Sequence, residues 1–166
     1  ILSTDYKMRD LVTDSTSGST GKKLIFYRDK KIAKSNNYYR DAVVFRNMEW
    51  TGTNIYNKQL YIWGAQMDIV KTKRFKEKMM SFFFPILHFS SYGMSDETMA
   101  SYAKRLSQYK PKSITGFASA LYLFADYLDK KEKKIDGVTS IISSAETLYD
   151  YQREKIEKVF NCKVFN

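Results

Sequence analysis

The chain has 166 residues, 43% of them apolar and 16% aromatic, with 28 Lys and Arg against 18 Asp and Glu for a net charge of +10. That length suits one domain of ordinary size with a real core, and the apolar content excludes a disordered chain. The charge favours anionic partners such as nucleotides, nucleic acid or lipid headgroups, although much of it is lysine interleaved with acid, as in DKKEKK from Asp129 to Lys134.

Taken in chain order, the first pattern is TDSTSGSTGKK, from Thr13 to Lys23. Every residue from Thr13 to Gly21 is Thr, Ser, Asp or Gly, which predicts a loop. Leu24 to Tyr27 is a short apolar strand, and Asp29 to about Met48 reads as a helix. Gln59 to Trp63 (QLYIW) is the next strand, closed by Gly64. Lys71 to Met80 reads as a short basic helix and Ser81 to His88 as a buried aromatic strand. Ser95 can cap the helix that follows, with Asp96 and Glu97 in its first turn, where the dipole favours negative charge. Met99, Tyr102, Ala103 and Leu106 then recur at helical spacing, and Pro111 closes the segment. Ser113 to Thr115 is a short strand, after which Gly116 turns the chain. Leu121, Phe124, Ala125 and Leu128 stripe another helix, and Thr139 to Ser143 is a strand. Ile156, Val159 and Phe160 mark the inner face of a last helix before the strand Lys163 to Phe165.

Strands separated by helices predict an α/β fold with a mostly parallel sheet. In such sheets ligands bind beyond the carboxyl ends of the strands. That rule singles out the Thr13–Gly21 loop and SSAETL, from Ser143 to Leu148. The first loop holds what a polyphosphate needs: glycines that let backbone N–H groups approach, hydroxyl donors, and lysine charge. It fits no standard nucleotide template. The Walker A spacing would need glycine at Thr16 and a hydroxyl residue at Lys23, and the dinucleotide pattern fails because Gly18 is followed by Gly21 alone.

Other features carry less chemistry. No apolar run reaches the roughly 18–20 residues that span a bilayer. Cys162 is the one cysteine and reads as a quiet, partly buried thiol, which leans towards a reducing compartment and a cytoplasmic protein. His88 is the one histidine and by itself makes no metal site, and no Cys/His cluster points to zinc. Tyr38, Tyr39, Trp50, Tyr56, Tyr61 and Trp63 mix with basic residues, a pattern that suits either base or sugar stacking or core packing. From these residues alone a basic, non-enzymatic module binding nucleic acid or a polyanionic glycan stands as an alternative.

TSGSTGKK, from Thr16 to Lys23, resembles the signature loop of the adenylate-forming enzymes, close to T-S-G-[ST]-T-G-x-P-K, and matches it without a gap over Thr16 to Gly21. KQLYIWG (Lys58 to Gly64), the passage Met94 to Ala125, and SSAETLYDYQREKIEKVFNCKVFN (Ser143 to Asn166) resemble segments of the phenylacetate-CoA ligase-like branch, linked to capsular polysaccharide synthesis. The resemblance implies one α/β segment over residues 1–166, the central part of a larger ATP-binding domain, with the small C-terminal domain absent. It implies ATP and Mg²⁺ as cofactors, a small carboxylic acid as substrate, and CoA or a sugar-linked group as acyl acceptor, with no specific nucleic acid. Thr16, Ser17, Gly18, Ser19, Thr20 and Gly21 would close over the β- and γ-phosphates, with Lys22 or Lys23 supplying the charge beside them, and Ser144, Ala145 and Glu146 would lie against the adenine. Residues near Phe84 to Gly93 and Gly116 to Ala120 would shape the acyl pocket. Lys23, Leu24 and Ile25 stand where the family has proline and lysine. The family's metal-binding glutamate, ribose-binding aspartate and catalytic lysine fall outside these residues, so the segment alone is expected to be inactive.

Overall fold

The computed structural model describes residues 7–15, 23–31, 36–64 and 85–166, with the backbone alone over 36–41. It divides into two units, Ile1–Arg46 and Asn47–Asn166.

In the first unit a single 3-10 turn, Met8–Asp10, leads into β1 (Leu11–Ser15), which pairs antiparallel with β2 (Ile25–Asp29) from Leu11 opposite Asp29 to Ser15 opposite Ile25. Thr13, Asp14 and Ser15, expected in the loop, are therefore strand. Asp14 is a poor strand former, but Thr13 is β-branched and favours a strand, and the apolar Ile25-Phe26-Tyr27 run supplies a ladder partner. Arg28 and Asp14 meet on one face at 2.6 Å, both well exposed, a contact worth little by itself. Asp29 ends β2 and, as expected, stands at a helix start: Lys30 and Lys31 are helical, and its carboxylate accepts from the Lys31 N–H at 2.6 Å. The long helix α1 is Asn36–Trp50. It stops where the Met48 carbonyl accepts from the Thr53 N–H (2.9 Å) and Gly52 takes a positive φ of 68°.

The second unit is built on a five-stranded sheet: β3 (Gln59–Trp63), β4 (Ile86–Ser90), β5 (Ser113–Phe117), β6 (Ser140–Ser144) and β7 (Lys163–Phe165), in the order β4-β3-β5-β6-β7 with every pairing parallel. Between the strands lie α2 (Asp96–Tyr109), α3 (Ala118–Lys130) and α4 (Asp150–Phe160). The alternation of strand and helix gives the mostly parallel α/β architecture expected from the sequence. β4 begins only after Pro85, whose carbonyl accepts from the Gln59 N–H; residues 81–84 and the expected helix Lys71–Met80 lie outside the described residues.

One face of this sheet carries Leu60, Ile62, Phe89, Ile114, Ile141 and Val164, all buried. The helices meet it through the predicted stripes. Met99, Tyr102, Ala103 and Leu106 of α2, and Leu121, Phe124, Ala125 and Leu128 of α3, are buried, as are Ile156 and Phe160 of α4. Phe89 stacks on Tyr102 at 4.0 Å between ring centroids and meets Phe124 edge-on, and Phe124 in turn touches Phe160, so one aromatic chain links β4 to all three helices. Ser95 caps α2 as expected, accepting from the Thr98 N–H, and Lys110 ends it in a left-handed conformation. Lys155 of α4 reaches Asp129 (2.8 Å) and Asp126 (3.4 Å) of α3 and ties the two helices together.

Gly116 corrects the sequence reading. It lies inside β5 and does not turn the chain. A Cβ there would sit 2.9 Å from the Ile62 carbonyl oxygen and 3.3 Å from Leu121 Cγ. The glycine is needed because β3, far away in sequence, and the first turns of α3 both press on that spot.

Candidate functional site

Strand order sets the position of the site. β3 leads outward to β4, while its neighbour β5 leads the other way to β6, so the order reverses between β3 and β5. A crevice at their carboxyl ends is where open α/β sheets bind ligands. The last residues of these two strands are Trp63 and Phe117. Their rings stack at 4.3 Å with an interplanar angle of 23°, and Trp63 keeps 40% of its surface exposed. Ser90 is in register with Trp63 on one side and Ser144 with Phe117 on the other. The carboxyl edge of four adjacent strands therefore reads Ser, Trp, Phe, Ser, all on the face opposite the helices, because side chains alternate along a strand. One step back along that face Tyr61 and His88 stack at 5.6 Å. Burial lowers the His88 pKa below its ordinary value and raises that of the Tyr61 hydroxyl.

Ser144 ends β6, half-buried. Ala145 follows with φ +65°, a left-handed conformation that costs a residue with a Cβ. Glu146 then turns towards the start of α3, where its Oε2 accepts from the Ser119 N–H at 2.8 Å. Beyond it, the Gln152 side chain of α4 accepts from the Tyr149 N–H at 3.1 Å and anchors the far end of the same loop. The expected adenine-side residues Ser144, Ala145 and Glu146 thus stand together at a carboxyl end, in the second unit. The expected phosphate loop, Thr16, Ser17, Gly18, Ser19, Thr20, Gly21 and Lys22, belongs to the first unit and lies outside the described residues. Ser15 ends β1 before that loop; after it come Lys23, Leu24 and Ile25, all exposed. Of the segments expected to shape an acyl pocket, Ile86–Ser90 forms β4 and leads to an exposed Tyr92 and to Gly93 at φ +64°, while Ala118 and Ala120 are buried.

Sequence reasoning missed the Trp63–Phe117 stack and the partner of Glu146. The second left a faint local signal, since GFASA has no capping residue where α3 begins. Cys162 is half-buried, and its thiol is pushed up to about 11, chiefly by burial and then by Glu157, which fits a quiet thiol. Among the described residues no three His, Cys, Asp or Glu side chains converge as a metal site, and no helix is long and apolar enough to cross a membrane.

Known proteins bear on this arrangement. No protein-family model matches the chain. It is 30% identical over 168 residues to Protein CapK of Staphylococcus aureus, covering 96% of this chain and 35% of that protein. Among solved structures it superposes on 2-hydroxyisobutyryl-CoA ligase in an open conformation complexed with 2-HIB-AMP and CoA, with a TM-score of 0.54 and 13% identity over 96% of this chain and 36% of that one. It also superposes on VinN complexed with L-aspartate, with a TM-score of 0.53 and 13% identity over 93% of this chain and 36% of that one. The likeness is one of fold: the chain has the α/β fold of part of these structures. The chain spans about a third of the length of the relatives it matches. The carboxyl ends of β3 and β5 and the Ser144–Glu146 turn are the parts of the candidate site that the described residues supply.

Proposed function

We propose that these residues form part of an ATP-dependent acid ligase of the phenylacetate-CoA ligase-like branch. A carboxylate oxygen of the acid attacks the α-phosphorus of ATP, the bond to pyrophosphate breaks, and an acyl-adenylate forms. A thiol, amine or hydroxyl of an acceptor, either CoA or a sugar-linked group, then attacks the acyl carbon, and AMP leaves. The observation that carries this reading is the superposition of 96% of the chain on an acid–CoA ligase complexed with an acyl-adenylate and CoA. The likeness to Protein CapK supports a setting in capsular polysaccharide synthesis.

In this reading the N–H and hydroxyl groups of Thr16–Gly21, with Lys22, hold the β- and γ-phosphates and stabilise the charge that builds on them as the bond breaks. Ser144, Ala145 and Glu146 line the base end of the nucleotide, and the net charge of +10 draws the polyanion in. The described residues offer no cluster fit to hold Mg²⁺, so no step is assigned to a metal held by them.

The test is ATP–pyrophosphate exchange by the longest natural chain containing these residues, across a panel of small carboxylic acids. Exchange that depends on one class of acid is the expected result, with residues 1–166 alone inactive. No exchange with any acid, together with steeply salt-dependent binding to any polyanion, would overturn the reading in favour of a basic binding module.

A further inference from the structure

Helix α3 begins without a cap of its own. Its N-cap residue is Phe117, which has no side-chain acceptor, and its first turn holds no acidic residue. The first N–H groups of a helix have no partner inside the helix, and its amino end carries partial positive charge. The N–H of Ser119, second in the helix, finds its acceptor 27 residues away, in the carboxylate of Glu146.

The two segments that meet are neighbours by register. Phe117, the last residue of β5, pairs with Ser144, the last residue of β6. Two residues beyond each strand end, Ser119 and Glu146 are joined. Between Ser144 and Glu146 the chain passes through Ala145 at φ +65°. A left-handed alanine persists only where surrounding contacts over-determine it, and the Glu146–Ser119 bond is such a contact. The Tyr149–Gln152 bond fixes the other end of the turn. Phe117 itself carries the ring that stacks on Trp63 at the β3/β5 crevice. One hydrogen bond thus ties the turn after β6 to the first turn of α3, two residues beyond the ring that stacks on Trp63.

We infer that Glu146 is a positioning residue: through its bond to the Ser119 N–H it holds the Ser144–Glu146 turn against the start of α3, and so sets the shape of the crevice that receives the nucleotide. The inference rests on the ligase reading and deepens it. The carboxylate acts as a hydrogen-bond acceptor on the protein, and its charge touches neither ligand nor metal. An amide oxygen can do the same work, whereas a methyl group cannot.

The experiment compares wild type, Glu146→Ala and Glu146→Gln in the longest natural chain, with ATP as the probe in pyrophosphate exchange. Amide hydrogen exchange at Ser119 is followed in parallel. Loss of the acceptor in Glu146→Ala should raise the KM for ATP about three- to tenfold with kcat little changed, and should speed exchange at the Ser119 amide. Glu146→Gln should restore both. If the glutamine variant is as impaired as the alanine variant while its Ser119 amide stays protected, the charge of Glu146 acts directly on the ligand and the inference fails. It fails equally if Glu146→Ala matches wild type in ATP kinetics, an outcome that leaves the ligase reading standing. A wild-type chain inert towards ATP with every acid overturns the ligase reading, and the inference with it.

Discussion

Gly116 is the residue whose replacement has the most readable outcome. It has no positive φ, so a side chain there meets no backbone penalty, only the Ile62 carbonyl 2.9 Å away and Leu121 behind it. Neither neighbour can swing aside, because one is strand backbone and the other is fully buried. Gly116→Ala should therefore destabilise the fold by about 1–3 kcal/mol, read as a lower midpoint in urea unfolding. His88 offers a second prediction, on pH. Burial lowers its folded pKa below the ordinary 6.5, so the unfolded chain binds the proton more tightly. The stability it contributes is present above 6.5 and is lost as pH falls through the lower, folded value. As the only histidine in the chain, it should dominate the change between about pH 7.5 and about pH 5.5. The urea midpoint should drop across that window in wild type and stay nearly level in His88→Gln.

Elements whose signals are local were legible from the sequence. The stripe Met99, Tyr102, Ala103, Leu106 and the cap at Ser95 lie within one helix, and the structure places each as expected. Ser95→Ala should cost about 1 kcal/mol, because the Thr98 N–H loses its acceptor; thermal or urea unfolding would measure it. Elements that depend on a partner were harder to read. β1 is half polar and becomes a strand only because β2 pairs with it. A glycine at the end of an apolar run signals a turn locally, yet Gly116 stays in its strand because of what packs on it. The site follows the same division. SSAETL could be placed at the carboxyl end of a strand from the alternating pattern, although its first two residues are still β6, whereas the bond from Ser119 to Glu146 spans 27 residues and no local pattern encodes it.

For the molecule as a whole, the alternation of strand and helix was enough to predict the class of fold, and the strand order was not. Parallel neighbours can be arranged in several ways with the same alternation, and only side-chain packing chooses among them. The order observed, with β3 inside and β4 at the edge, makes the crevice, because it turns the connections after β3 and β5 in opposite directions.

That order also imposes a schedule on folding. β3 leaves the ribosome well before β5, and until Gln59 can meet Ser113 one hydrogen-bonding edge of QLYIW stays open. An apolar, aromatic strand with an open edge is a template for pairing with other chains. Of the inner strands β3 thus waits longest in chain length for its second neighbour, and crowded nascent chains are most exposed to intermolecular pairing through it while residues 64–112 are still being made.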